Sequence, residues 1–172
     1  MAPRRAARVI RALLAVAAAT GLAAAGCAAV CRHITINVTP SLPRGLYWLT
    51  ADHVPRRGSI AVLFPPAPFR DLIAQRGYLP SSVPLLKRVV ALPGDTVCTT
   101  AGRYLAAGVD LGPAATADAA GRPLPPPFPF CGTVPQGAAF VAGHGPSSLD
   151  SRYFGPVPLS TLTVVVPLWT SS

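Results

Sequence analysis

The sequence predicts a mostly-β domain behind one N-terminal transmembrane helix, and three observations lead there. Residues 12–31 form a run of twenty without a charge, enough for a helix rising ~1.5 Å per residue to cross a hydrocarbon core of ~30 Å. The 21 prolines and 15 glycines among 172 residues suit short strands joined by turns better than a helical domain. Residues 85–92, Leu-Leu-Lys-Arg-Val-Val-Ala-Leu, read as a strand in which Leu85, Lys87, Val89 and Ala91 share one face.

Taken in order, Arg4, Arg5, Arg8 and Arg11 precede the apolar run, and Arg32 and His33 follow it. The heavier positive flank places the N-terminus in the cytoplasm and the rest of the chain outside the membrane. This gives a cytoplasmic tip and anchor over residues 1–32 and an extracytoplasmic domain over residues 33–172. Two rivals to an uncleaved anchor stay open. One is a cleaved secretory signal. The other is a lipoprotein signal, because Ala24-Ala25-Gly26-Cys27 resembles a lipobox.

Residues 34–38 alternate and read as a strand, and aromatic-rich residues 45–50 as another. Residues 59–64 form a buried strand ended by Pro65, Pro66 and Pro68. Residues 69–76 are the one short helix expected in the domain. Pro93-Gly94-Asp95 marks a turn. Residues 96–100 and 103–107 pair as a hairpin around Ala101-Gly102. Residues 108–130, rich in Pro, Gly and Ala, are expected to be irregular and surface-exposed. Residues 138–142 and 162–168 supply two further strands around a polar, turn-rich stretch at 143–156. His53 falls in an Asp-His-Val-Pro turn.

With 51% apolar and 12% charged residues the chain can fold around a core. Beyond the arginine-rich start, the positive charges are scattered without interleaved aromatics, which excludes a nucleic-acid partner. Cys27 and Cys31 lie in the apolar run and there is no C-x-x-C, so no metal or other cofactor is expected. Cys98 and Cys131 are expected to pair in an oxidising compartment, the alternative being two buried free thiols.

Ser41 sits between Pro40 and Pro43, on a segment that proline holds stiff and non-helical. A serine needs a base to become a nucleophile. Among the histidines only His144, in the 143–156 stretch, is placed to approach a site, and no G-x-S-x-G elbow is present. Lys87 is the sole lysine against fourteen arginines. A lysine with its ordinary pKa of ~10.4 is only about 0.1% neutral at pH 7.5, and burial on an aliphatic strand face lowers that pKa. The competing reading is a loop serine and a lysine whose stem packs while its head reaches water. An anchor, a rigid serine and a lone lysine together point to a membrane-tethered hydrolase.

Three boxes in order then resemble one family. Asn37-Val38-Thr39-Pro40-Ser41-Leu42-Pro43-Arg44-Gly45-Leu46-Tyr47 is similar to the nucleophile box of TraF-type conjugative-transfer signal peptidases, within the serine–lysine signal peptidase family. Residues 86–95, Leu-Lys-Arg-Val-Val-Ala-Leu-Pro-Gly-Asp, resemble its lysine box. Ser148-Leu149-Asp150-Ser151-Arg152-Tyr153-Phe154-Gly155-Pro156-Val157 resembles the third box. The resemblance implies a domain of coiled antiparallel β-sheets, with Ser41 as nucleophile and Lys87 as general base. It implies that Ser148 orients the lysine amine, that Asp150 and Arg152 support the site, and that the Ser41 N–H is an oxyanion donor. Gly143-His144-Gly145-Pro146 replaces the Asn/Asp-rich lead-in of housekeeping enzymes, which favours the conjugation subgroup.

The implied function is a single-pass bacterial inner-membrane serine endopeptidase with its catalytic domain in the periplasm. It would cleave an exported pilin precursor, with the acyl group released by water or by a substrate amino group, the latter route giving a circular product. A housekeeping-like signal peptidase and a non-enzymatic anchored or lipidated envelope subunit are the alternatives. The partners implied are membrane lipids and a membrane-associated pilin or signal-peptide-bearing precursor. About ten residues separate Ser41 from the apolar run, a reach of at most ~35 Å.

Overall fold

The computed structural model describes residues 2–51 and 54–171; the turn read around His53 lies outside the described residues. The chain divides into two units, Met1–Ile34 and Thr35–Ser172. The first is dominated by helix α1, Ala2–Cys31. Its stretch Leu13–Cys31 is long and apolar enough to cross a membrane. Thr20, the one hydroxyl in that stretch, returns its proton to the Val16 and Ala17 carbonyls at 3.0 Å each, so no donor is left unmet in an apolar solvent.

The second unit carries two antiparallel sheets. The larger orders its strands β1 (Ile34–Asn37), β2 (Gly45–Leu49), β11 (Thr163–Thr170), β3 (Ile60–Leu63), β4 (Leu85–Ala91), β9 (Ala138–Ala142) and β10 (Val157–Pro158). The smaller orders β7 (Val109–Pro113), β6 (Arg103–Ala106), β5 (Thr96–Thr100) and β8 (Cys131–Thr133). Helix α2 spans Ala67–Gln75, started by the prolines that end β3. A single turn, α3, spans Ser151–Phe154.

Strand β4 ties the interior together. Leu85 and Val89 enter the main core with Ala61, Leu63, Val141, Tyr153 and α2's Ile73. Leu86, on the other face, packs with Leu42, Tyr47, Val62 and Val165. Ala91 follows a register shift against β9 and joins Val97, Tyr104, Val134 and Phe140 where the small sheet meets the large one. Gly45 is required at its place: its φ is +151°, and a Cβ there would run into the Trp169 carbonyl of the paired strand.

One difference from the sequence reading stands out. Residues 108–130 are not uniformly irregular or exposed. They contain β7, an isolated bridge between Ala117 and Pro123, and the buried Leu124. The Tyr78 hydroxyl donates to Asp118, and Arg122 Nε reaches the same carboxylate at 2.7 Å. The segment is thus fastened by polar contacts that carry no apolar periodicity. The turn Ala101-Gly102 does close the β5–β6 hairpin, with φ of 50° and 74°.

Candidate active site

Ser41 and Lys87 open onto one cavity of about 370 Å³. Ser41 lies on the turn between β1 and β2 and is nearly buried. Its neighbour Leu42 is plugged into the cluster beneath β2, which fixes the turn to the sheet. Lys87 stands on the Leu85/Val89 face of β4 and is only 3% exposed. The strand alternation therefore puts a charged head on an aliphatic face.

The Lys87 amine donates to Ser148 Oγ at 2.8 Å. Burial pushes its pKa down to about 8, opposed by the Asp150 carboxylate and aided by the Arg152 guanidinium. At pH 7.5 about a quarter of such amines are neutral, against about 0.1% in water. A buried neutral amine can accept a proton.

The third box builds the opposite wall. Asp150 is fully buried and caps α3. It accepts from the Gly143 N–H at 2.9 Å and from Arg152 Nε and Nη2 at 2.9 and 2.8 Å. Arg152, 1% exposed, spends its remaining donors on four carbonyls: Leu111 and Pro113 of the small sheet, and Gly143 and Gly145 of the loop before Ser148. Every charge in this pair is met, as burial of an ion pair demands. Ser151 Oγ accepts from the Val141 N–H at 2.9 Å, which locks the box onto β9.

Apart from His144, which the sequence reading placed near a site, several contributors were not singled out from sequence. A Cβ on Gly143 would collide with Ser148 Oγ and lie 2.8 Å from Ser41 Cβ. Only glycine lets the two serines converge. The His144 N–H donates to the Ser41 carbonyl at 2.6 Å, and His144 lines the cavity. Asp118, Ala119 and Leu124 of the 108–130 segment supply part of its wall. Asn37 and Thr39 hydrogen-bond around the Ser41 turn. The N-x-T-P-S spelling of that turn is an Asx-type signal visible in the sequence; the convergence of Gly143 on Ser41 has none. Cys98 and Cys131, paired opposite each other on β5 and β8, form a disulfide away from the cavity lining. Among the described residues no cluster of His, Cys, Asp or Glu is able to hold a metal ion.

The chain is similar to known proteins over nearly its whole length. Residues 6–169 match the family described as "Signal peptidase, peptidase S26". The "Conjugal transfer protein TraF" of Agrobacterium fabrum strain C58 is 38% identical over 138 residues, covering 74% of this chain and 76% of that one. The "Plasmid transfer protein TraF" of Escherichia coli is 32% identical over 163 residues, covering 89% of this chain and 90% of its own. Among solved structures, a signal peptidase I from Enterococcus faecalis V583 is 27% identical, covers 66% of this chain and 97% of its own, and has a TM-score of 0.39. The match over residues 6–169 and these relatives show that the chain belongs to the signal peptidase family, peptidase S26, a family of serine peptidases, and within it is similar to the TraF transfer proteins.

Proposed function

We propose that the protein is a membrane-anchored serine endopeptidase of conjugal transfer that cleaves an exported pilin precursor with a Ser41/Lys87 dyad. The observation that carries this reading is the buried Lys87 amine, hydrogen-bonded to Ser148 at 2.8 Å and facing the same cavity as Ser41. The TraF names of the relatives carry the conjugation context. The apolar stretch Leu13–Cys31 serves as the anchor, and the arginines before it favour a cytoplasmic N-terminus and a periplasmic domain.

In this reading Ser41 Oγ attacks the scissile carbonyl while neutral Lys87 takes its proton. The Ser41 N–H faces the developing oxyanion. The Lys87 ammonium then protonates the leaving amine and the acyl group stays on Ser41. Lys87 next activates a water, or the amino group of a substrate, to release the acyl group; the second route gives a circular product. Ser148 keeps the amine aimed, and the Asp150–Arg152 pair holds the loop that carries Ser148.

The test is co-expression with a candidate pilin precursor and measurement of intact product masses. Ser41→Ala and Lys87→Ala are each expected to abolish processing while the protein still accumulates. Cleavage by either variant at close to the wild-type rate would sink the dyad. A parallel incubation with a general secretory precursor separates a pilin-specific enzyme from a housekeeping-like one.

A further inference from the structure

The Ser41 turn is wired to a single buried amide. Asn37 is 4% exposed. Its Nδ2 donates to the carbonyls of Thr39, Leu42 and Pro43 at 3.1, 2.9 and 3.0 Å. Its Oδ1 accepts from the Thr39 N–H at 3.2 Å and from the Thr39 hydroxyl at 2.8 Å. All five bonds end on residues 39–43, the turn that carries Ser41. The three carbonyls can only accept, so they fix which end of the amide is Nδ2.

That orientation decides a proton. Thr39 Oγ1 lies 3.0 Å from Ser41 Oγ, and either oxygen is able to donate by distance alone. A hydroxyl has one proton, and Thr39 gives its own to Asn37. In this contact Ser41 is therefore the donor and Thr39 the acceptor. With no proton arriving from Thr39, the Ser41 lone pairs stay open for attack, and the Ser41 proton turns from Thr39 to the neutral Lys87 amine as attack begins. Without Asn37, the Thr39 proton is free to turn onto Ser41 Oγ and tie up a lone pair that attack on a carbonyl needs. The three carbonyls would also lose their shared donor, and the turn its internal brace.

We propose that Asn37 is a positioning residue for the peptidase reaction, acting through Thr39 on the direction of the Ser41 hydroxyl and through the turn on its place. Asn37 touches neither substrate nor Lys87 in this assignment. The inference rests on Ser41 being the nucleophile. Its signature is a loss in kcat with little change in KM, since the cavity walls are untouched. The Lys87 limb of the pH–rate profile is expected to stay where it is.

The experiment uses the full-length protein in detergent with a candidate pilin precursor. Asn37→Ala, isosteric Asn37→Asp, Thr39→Val and the double variant Asn37→Ala/Thr39→Val are assayed beside Ser41→Ala, each with a melting curve. Asn37→Ala is expected to lower kcat by about 100-fold, the size of effect a misplaced reacting group produces. KM stays within about threefold. If Asn37 acts through Thr39, the double variant is no more than about threefold slower than Asn37→Ala alone, because the two side chains form one unit. Thr39→Ser, which restores the hydroxyl, is expected to recover most of the activity that Thr39→Val loses. Should Asn37→Ala fail to fold, Asn37→Asp keeps the shape and the Oδ1 acceptor for Thr39 while setting an acceptor against the three carbonyls, and it is expected to lower kcat through the turn by about tenfold or more.

Wild-type kcat in a folded Asn37 variant overturns the proposal. Losses that multiply in the double variant, or a displaced Lys87 limb, overturn it equally. Processing by Ser41→Ala at the wild-type rate would instead remove the nucleophile assignment on which it rests. A dead Ser41→Ala beside an unaffected Asn37→Ala removes this inference alone.

Discussion

Lys87 Nζ donates to Ser148 Oγ at 2.8 Å across a separation of 61 residues, and the bond is buried. It is the point where the lysine strand and the third box meet. Replacing Ser148 by Ala leaves the amine without this acceptor and free to turn among its rotamers. kcat is expected to fall about 100-fold with KM within a few-fold. Steady-state kinetics on the precursor decides it, and a wild-type kcat would show that the amine needs no such partner.

The depressed Lys87 pKa sets the pH dependence. Activity is expected to rise with pH through about 8, because in the proposed dyad the neutral amine is the base. A rate already at its plateau at pH 6.5 would contradict this.

The same shift has a stability side, and its sign is definite. Lys87 falls from 10.5 in the unfolded chain to about 8 when folded. Below pH 8 folding must expel a proton or bury a charge, a cost of about 3 kcal/mol at 1.36 kcal/mol per pKa unit. The cost is relieved as pH rises from 8 to 10.5. Lys87→Met should therefore melt several degrees higher than wild type at pH 7 while being inactive, and the gap should close by pH 10.5. Differential scanning calorimetry at both pH values tests it; a lower melting point at pH 7 would mean that the Lys87–Ser148 bond outweighs the burial.

Gly143→Ala is expected to damage activity more than folding. The new methyl has to displace Ser148 Oγ or Ser41, an overpacking cost of about 1–3 kcal/mol. The displacement falls on Ser41 and Ser148, the nucleophile and the lysine partner of the proposed dyad. Comparing kcat with the denaturation midpoint distinguishes this from general destabilisation, which would lower both together.

Arg152→Met should be among the most destabilising single changes. It leaves Asp150 charged and buried and strips four carbonyls of their donor. Breaking a buried pair from one side costs about 3–5 kcal/mol. Urea denaturation reads the loss directly, and a change under 1 kcal/mol would mean that water replaces the guanidinium.

The Cys98–Cys131 disulfide spans a sequence separation of 33. A loop of that length gives roughly 3–4 kcal/mol by chain entropy. Reduction, or Cys98→Ser with Cys131→Ser, should lower the melting temperature by several degrees. An unchanged melting curve after verified reduction would show that β5 and β8 hold without it.

Much of the large sheet was readable because its strands bury side chains. The alternation of residues 85–92 identified β4 and put Lys87 on the Leu85/Val89 face, where the structure has it. Strands β7 and β8, Val-Asp-Leu-Gly-Pro and Cys-Gly-Thr, were not readable. Asp110, Gly112, Pro113 and Gly132 are poor strand formers, and what places the strands is backbone pairing, together with the reach of Arg152 to Leu111 and Pro113 for β7 and the disulfide to β5 for β8. In the site, Ser41, Lys87 and the third box were visible as motifs. The role of Gly143 was not, because it depends on a void, and of Asn37 only the Asx-type turn spelling was, because its bonds to near neighbours leave no periodicity.

Strand β11 is the latest strand in sequence, yet it lies between β2 and β3 in the sheet. Its Val165 packs with Leu42 and Tyr47, and its Thr170 stands opposite Gly45. A chain emerging from its N-terminal end thus displays Ser41 long before the floor under Ser41 exists. Pairings this distant in sequence close slowly, after the entropy of the intervening chain has been overcome. On the proposed dyad, a chain in which β11 has not yet paired holds a Ser41 that is not yet placed to act as a nucleophile.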